Sequence, residues 1–129
     1  VEDLGICLGS ALSRALEGKE GIRRYGVALV PMDEALCRVV VDVSNRPFLS
    51  YGMKSDLRPA GRFDVGLVRE FLRGMATHAG LTLHVDLLRG EDAHHITESI
   101  FKALGRALDE ATRLDDRLAG RSLSTKGLL

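Results

Sequence analysis

With 129 residues, 45% of them hydrophobic and 28% charged, the chain has the make-up of one folded domain with a core. Eighteen basic residues balance eighteen acidic ones, only 5% of residues are aromatic and tryptophan is absent. No net field draws such a chain to nucleic acid or to an anionic membrane, and few rings are on hand to stack on bases. No apolar run approaches the roughly 20 residues of a membrane-spanning helix.

Residues 1–16 read as a helix already in progress at the first residue. Leu4, Cys7, Leu8, Ala11, Leu12, Ala15 and Leu16 recur at helical spacing as its inward stripe, and Gly18 is a plausible stop. After Gly21, Arg23-Arg24 lead into a strand at 25–30, and Pro31-Met32-Asp33 forms a turn. Residues 34–43 alternate, with Ala35, Cys37, Val39, Val41 and Val43 on one face and Arg38 and Asp42 on the other. Cys7 and Cys37 thus both occupy apolar faces and are expected to be reduced core thiols, as suits a cytoplasmic protein. Ser44-Asn45 signals a turn, and residues 46–53 are extended again, which predicts a hairpin with the strand before them.

Residues 54–62 hold Pro59 and Gly61 and read as loop. The next amphipathic helix, 65–79, buries Val68, Phe71, Leu72, Met75 and Ala79 and leaves Arg69, Glu70, Arg73 and Thr77 outside. Residues 81–88 are a strand with Leu81, Leu83, Val85 and Leu87 inward and His84 and Asp86 opposite. The Arg89-Gly90-Glu91-Asp92 turn then delivers the chain to His94-His95-Ile96-Thr97-Glu98, which opens the last helix. Ile100, Ala103, Leu104, Ala107, Leu108 and Ala111 form its inward face. Residues 113–129 are a polar tail with little to bury.

The histidine string is the stretch with chemistry in it. Glu98 lies three residues after His95 and four after His94, so imidazole and carboxylate share a side of the first turns. Helices in dimetal carboxylate bundles offer ligands in this way. Adjacent histidines project about 100° apart on a helix, so they serve two ions more easily than they chelate one. Taken alone, two histidines near a helix start are more often surface residues or caps.

The first and last helices also match each other. At an offset of 96 positions (98 − 2), Glu2, Leu8, Gly9, Ala11, Leu12 and Ala15 fall on Glu98, Leu104, Gly105, Ala107, Leu108 and Ala111. Leucine and alanine matches come free with amphipathic periodicity. The glutamate and glycine matches do not, since glycine costs about 1 kcal/mol inside a helix. An internal duplication follows, and it places the counterpart of His94-His95 just before Val1. The element order predicts an α+β fold: a two-layer α/β sandwich, a duplicated half-domain with helices on one face of a mostly antiparallel sheet. The other sheet face needs cover from a second unit or a neighbouring subunit.

Six stretches resemble the imidazoleglycerol-phosphate dehydratase family of histidine biosynthesis, in family order. They are Glu2-Asp3-Leu4-Gly5-Ile6, Gly21-Ile22-Arg23-Arg24-Tyr25-Gly26, Pro31-Met32-Asp33-Glu34-Ala35-Leu36 and Asn45-Arg46-Pro47. His94-His95 through Glu98 with Phe101-Lys102-Ala103, and Ser124-Thr125-Lys126-Gly127, complete the set. The resemblance implies a duplicated fold of the ribosomal protein S5 domain 2 type, a homo-oligomer of twenty-four subunits, and two Mn²⁺ ions per active site shared between subunits. It also implies that roughly the first third of the family's length precedes Val1. Residues 1–18 would then be the terminal helix of a first repeat, 19–112 the second repeat and 113–129 a phosphate-binding tail.

The implied metal ligands are Glu2, Glu70, His94, His95 and Glu98, with Glu2 and Glu98 the candidate catalytic carboxylates. Glu70 reads from pattern alone as an exposed helix carboxylate; the family carries His or Glu there, and either suits Mn²⁺. Arg24, Arg46, Ser124, Thr125 and Lys126 are the implied substrate-binding residues, suited to a phosphate oxyanion. His84 matches no ligand and reads as a partly exposed strand histidine. The implied reaction removes water from D-erythro-imidazole-glycerol phosphate to give imidazole-acetol phosphate, with the metals as Lewis acids and templates. The alternatives are a non-catalytic scaffold, a nucleic-acid-binding module, or another metal-dependent enzyme acting on a phosphorylated substrate. Balanced charge speaks against nucleic acid, clustered ligands against a bare scaffold, and the paired arginines with a phosphate-binding tail against a generic metallohydrolase.

Overall fold

The computed structural model describes residues 1–18, 20–53, 61 and 64–118. Its elements are α1 (Glu2–Ala15), β1 (Tyr25–Met32), β2 (Ala35–Asp42), β3 (Phe48–Gly52), α2 (Gly66–Ala79), β4 (Thr82–Arg89), α3 (Ala93–Thr112) and a short 3₁₀ turn, Asp116–Leu118. The four strands form one mixed sheet in the order β1-β2-β4-β3, with β1–β2 and β2–β4 antiparallel and β3–β4 parallel. No helix among the described residues is long and apolar enough to cross a membrane.

The central strands are those whose alternation is strictest. Ala35, Cys37, Val39 and Val41 of β2 are buried, as are Leu83 and Val85 of β4 with Leu81 just before it. They meet Val68, Phe71, Leu72 and Met75 of α2 and Ile96, Ile100, Ala103 and Leu104 of α3 in one core. Helix α3 lies against β1 and β2. Gly26 on β1 lets it come close, since a Cβ there would overlap the Ala107 carbonyl. Leu87 of β4 and Leu108 of α3 are only partly buried, at the margin of the face each was expected to share.

Three expectations are corrected. The hairpin lies between β1 and β2, not between 34–43 and 46–53. Residues 31 and 32 stay in β1, an edge strand that tolerates Pro31, and the turn falls at Asp33-Glu34, where Asp33 takes φ +51°. After Asp42 the chain turns at Asn45 (φ +58°), whose amide donates to the Gly80 carbonyl at 2.9 Å. Phe48 N–H then donates to the Leu81 carbonyl at 3.0 Å, so β3 runs along β4 instead. Helix α2 supplies the crossover that a parallel pair requires.

The second correction is α1. Five of the seven residues of its expected stripe face outward: Leu4 is 58% exposed and Leu8 46%, and Cys7, Ala11 and Ala15 are exposed too, while Leu12 and Leu16 pack partly buried against the core. The buried residues are Gly5 and Gly9, which lie on α2. A Cβ on Gly5 would overlap the Phe71 carbonyl, and one on Gly9 would stand 2.7 Å from the Met75 carbonyl oxygen. Backbone-to-backbone approach selects the glycine side of the helix over the leucine side. Cys37 is a core thiol as expected, whereas Cys7 is a surface one.

The third is the stretch after Thr112, which does not leave the fold at once. Leu114 bridges Ile22, and the amides of Arg23, Arg24 and Asp115 bond to the carbonyls of Arg113, Ala111 and Gly21 at 2.7–2.9 Å.

Candidate functional site

The histidine end is assembled from the β1–β2 turn and the first turns of α3. Asp92 caps α3, its carboxylate accepting from His95 N–H at 2.9 Å. This fixes where the next two rings emerge. The His94 ring projects outward, with Nε2 3.4 Å from Glu98 Oε2. Glu98 Oε1 receives Lys102 Nζ at 2.8 Å, and this contact holds the Glu98 carboxyl below the usual carboxylate range. The His95 ring turns toward the hairpin, with Nδ1 2.5 Å from Glu34 Oε1 and Nε2 3.5 Å from Asp33 Oδ2. The rings cross nearly edge-on, 6.1 Å apart.

Glu34 is the hub of this end. Its Oε2 accepts from the amides of Glu91 at 2.9 Å and Asp92 at 3.2 Å. The Glu91 amide, then the His95 ring, pull its carboxyl down to about 2. The Glu34 contact in turn raises His95 above the ordinary imidazole value.

Among the described residues, no three His, Cys, Asp or Glu side chains form a metal-binding group. Two pairs nevertheless have ligand spacing. Two donors on one cation, each bonded at about 2.1–2.2 Å, stand roughly 3.0–3.5 Å apart. His94 with Glu98 (3.4 Å) and His95 with Asp33 (3.5 Å) both fit, each as an incomplete shell. The donor set of imidazole nitrogen and carboxylate oxygen suits a borderline divalent cation.

The two arginines meet at the other end of β2. Arg24 is 8% exposed, sits at φ +76°, and grips Asp42 with Nε at 2.7 Å and Nη2 at 3.3 Å. That carboxylate raises its pKa further, and its guanidinium lies 4.9 Å from the Tyr25 ring centroid. Arg46 is exposed, with Nη2 3.7 Å from the second Asp42 oxygen. The loop that carries it is pinned by Thr82 Oγ1, which donates to the Arg46 carbonyl at 3.0 Å and meets Ser44 Oγ at 2.8 Å.

The remaining candidates are scattered. Glu2 is exposed at the start of α1, and its carbonyl packs near Gly74 of α2. Glu70 is half-buried one turn earlier on α2 and pairs with Arg73. His84 stands exposed on the outer sheet face, 5.8 Å from the Phe48 ring. Ser124, Thr125 and Lys126, and the expected loop at 54–60 and 62, lie outside the described residues.

Sequence reasoning missed Asp33, Glu34, Asp42 and Lys102 as site neighbours. Lys102 was within reach, because Glu98 and Lys102 are spaced i, i+4. Asp42 was visible only as a polar strand residue. Nothing local joins Glu34 to His95, 61 residues away.

A sequence model described as imidazoleglycerol-phosphate dehydratase matches residues 1–108. The chain belongs to the imidazoleglycerol-phosphate dehydratase family. The imidazoleglycerol-phosphate dehydratase of Aminomonas aminovorus is 59% identical over all 129 residues, and that of Heliobacterium modesticaldum 55%. The chain spans 66% of the length of each. The crystal structure of imidazoleglycerol-phosphate dehydratase from Staphylococcus aureus superposes with a TM-score of 0.85 at 46% identity, covering 88% of this chain and 67% of that one. The Pyrococcus furiosus dehydratase in complex with (S)-C348 gives 0.85 at 44%, covering 99% and 69%. The mixed sheet with its helices is thus the fold of these dehydratases.

Proposed function

We propose that this chain serves the dehydration of D-erythro-imidazole-glycerol phosphate to imidazole-acetol phosphate in histidine biosynthesis, in a cytoplasmic homo-oligomer with two Mn²⁺ ions per site. The family and the names of its members support the reaction. One observation carries the arrangement: the histidine end and the arginine end lie at opposite ends of the eight-residue strand β2. At about 3.3 Å per residue they are roughly 25 Å apart, too far to hold one small substrate together. Each site therefore takes its histidine end from one copy of the chain and its phosphate-binding arginines from another.

Bound manganese would supply Lewis acidity at the imidazole ring, helping to break a C–H bond that no carbonyl acidifies. His94 with Glu98, and His95 separately, would hold the ions, with Glu2 and Glu70 as the further ligands. Glu98, which Lys102 contacts at 2.8 Å, is with Glu2 a candidate for moving protons. Arg46 keeps most of its donors free for a phosphate, while Asp42 fixes Arg24 beside it. Ser124, Thr125 and Lys126, outside the described residues, are the further candidates for binding that phosphate.

Complementation tests this reading. Co-expressed His95→Ala and Arg46→Ala chains, each inactive alone, should recover about a quarter of the activity by random mixing, because one site in four draws both halves from intact ends. No recovery in mixed oligomers, with each variant folded, would mean that sites are built within one copy.

A further inference from the structure

We propose that Glu34 is the positioning residue for His95: it holds the ring by its Nδ1–H and so leaves Nε2 as the atom with a free electron pair. This rests on the reading above, in which His95 binds a divalent cation.

Both Glu34 oxygens are committed. Oε2 faces two backbone N–H groups, those of Glu91 and Asp92, which can only donate. The carboxylate is thereby pinned to the start of α3, and its Oε1 is aimed at His95 Nδ1 from 2.5 Å. An ionised carboxylate can only accept, so Nδ1 must carry the hydrogen, and in the neutral ring the lone pair falls on Nε2. That atom stands 3.5 Å from Asp33 Oδ2, the spacing of two donors around one cation. The tight Asp33-Glu34 turn thus carries the carboxylate that orients the ring and one that stands where a second ligand would. By contrast, no hydrogen bond among the described residues fixes Nδ1 of His94, whose carboxylate neighbour, Glu98, stands 3.4 Å from Nε2 instead. Carboxylates behind metal-bound histidines act in this manner, and losing one typically weakens metal binding 10–100-fold.

Glu34→Gln separates orientation from mere support. Its shape is kept, and the two backbone donors demand the amide oxygen at the Oε2 position. The amide NH₂ is then left to face Nδ1, which must become an acceptor. The hydrogen moves to Nε2 and occupies the electron pair the cation needs.

The test uses the whole protein, metal-free, with ¹⁵N-labelled histidine, by magic-angle-spinning NMR at a pH where the ring is neutral. The signal is assigned among the chain's four histidines by its loss in His95→Asn. We expect the Nδ1–H tautomer in the unmodified protein and the Nε2–H tautomer in Glu34→Gln, with Mn²⁺ affinity 10–100-fold weaker by EPR. An Nε2–H tautomer in the unmodified protein overturns the proposal, whether or not the variant folds. So does a folded Glu34→Gln protein that binds Mn²⁺ as tightly as the parent. Failure of the unmodified protein to take up Mn²⁺ would instead sink the functional reading, while the tautomer still decides the part played by Glu34.

Discussion

Helices α1 and α3 share a sequence pattern at a 96-residue offset and meet opposite fates. On α3, Ile100, Ala103, Leu104, Ala107 and Ala111 are buried against β1 and β2. Their counterparts on α1 are Leu4, Cys7, Leu8, Ala11 and Ala15, and all five are exposed. The glycines invert as well. Gly9 is pressed against α2, whereas its counterpart Gly105 has open space around it. An apolar stripe therefore states that a helix wants cover, and the cover itself decides whether the stripe becomes core. For α3 that cover is the sheet; on α1 only Leu12 and Leu16 find any among the described residues, packing partly buried against the core.

The sharpest way to break this comparison is a pair of truncations. Ile100→Ala should cost about 2–5 kcal/mol, as lost transfer energy plus a cavity. Leu4→Ala should stay within about 0.5 kcal/mol. Urea denaturation of both variants measures the gap, and equal losses would show that α1 is covered in solution after all. The glycines give a smaller contrast with opposite signs. Gly5→Ala should destabilise by about 1–3 kcal/mol, because the new Cβ runs into the Phe71 backbone. Gly105→Ala meets nothing and should stabilise by about 0.5–1 kcal/mol through helix propensity alone. Thermal melts of the two variants should move in opposite directions.

The smallest effect is at the helix starts. Val1, which caps α1, makes no side-chain cap bond, whereas α3 begins on Asp92 and the Glu34–His95 contact. Glu34 sits at about 2, below its ordinary 4.5, so its contribution is present above pH 4.5 and lost as pH falls toward 2. His95 is raised above its ordinary 6.5, so its contribution is full below pH 6.5 and lost as pH rises through the higher folded value. The difference in melting temperature between the parent and Glu34→Gln should be largest between pH 4.5 and 6.5 and narrow on both sides. A difference that stays the same below pH 4.5, within the window and above pH 6.5 would show that the contact contributes nothing.

What could be read from the sequence followed from periodicity. The alternation in β2 and β4 and the 3.6-residue stripes of α2 and α3 name their buried residues nearly one by one. Pattern fails where the deciding contact is remote. The alternation after Asn45 signals a strand but not that its neighbour is β4. The stripe on α1 cannot show that Gly5 and Gly9 win the closer contact. Likewise HHxxE spacing brings out Glu98 and not Glu34, which reaches His95 from a turn in another element. Arg24 was singled out by resemblance to known dehydratases, and its buried grip on Asp42 adds a structural duty that no motif spelled out.

The strand order also bears on synthesis at the ribosome. The β1–β2 hairpin closes from adjacent sequence and can form early. The strand that joins the sheet's two halves, β4, is the last of the four to emerge, after β3 and α2. Until residue 89 has been made, β2 presents an open apolar edge and β3 has no partner. A nascent chain stalled between β3 and β4 is thus a natural client for a chaperone, and slow codons in that interval would raise the risk of misassociation between neighbouring ribosomes.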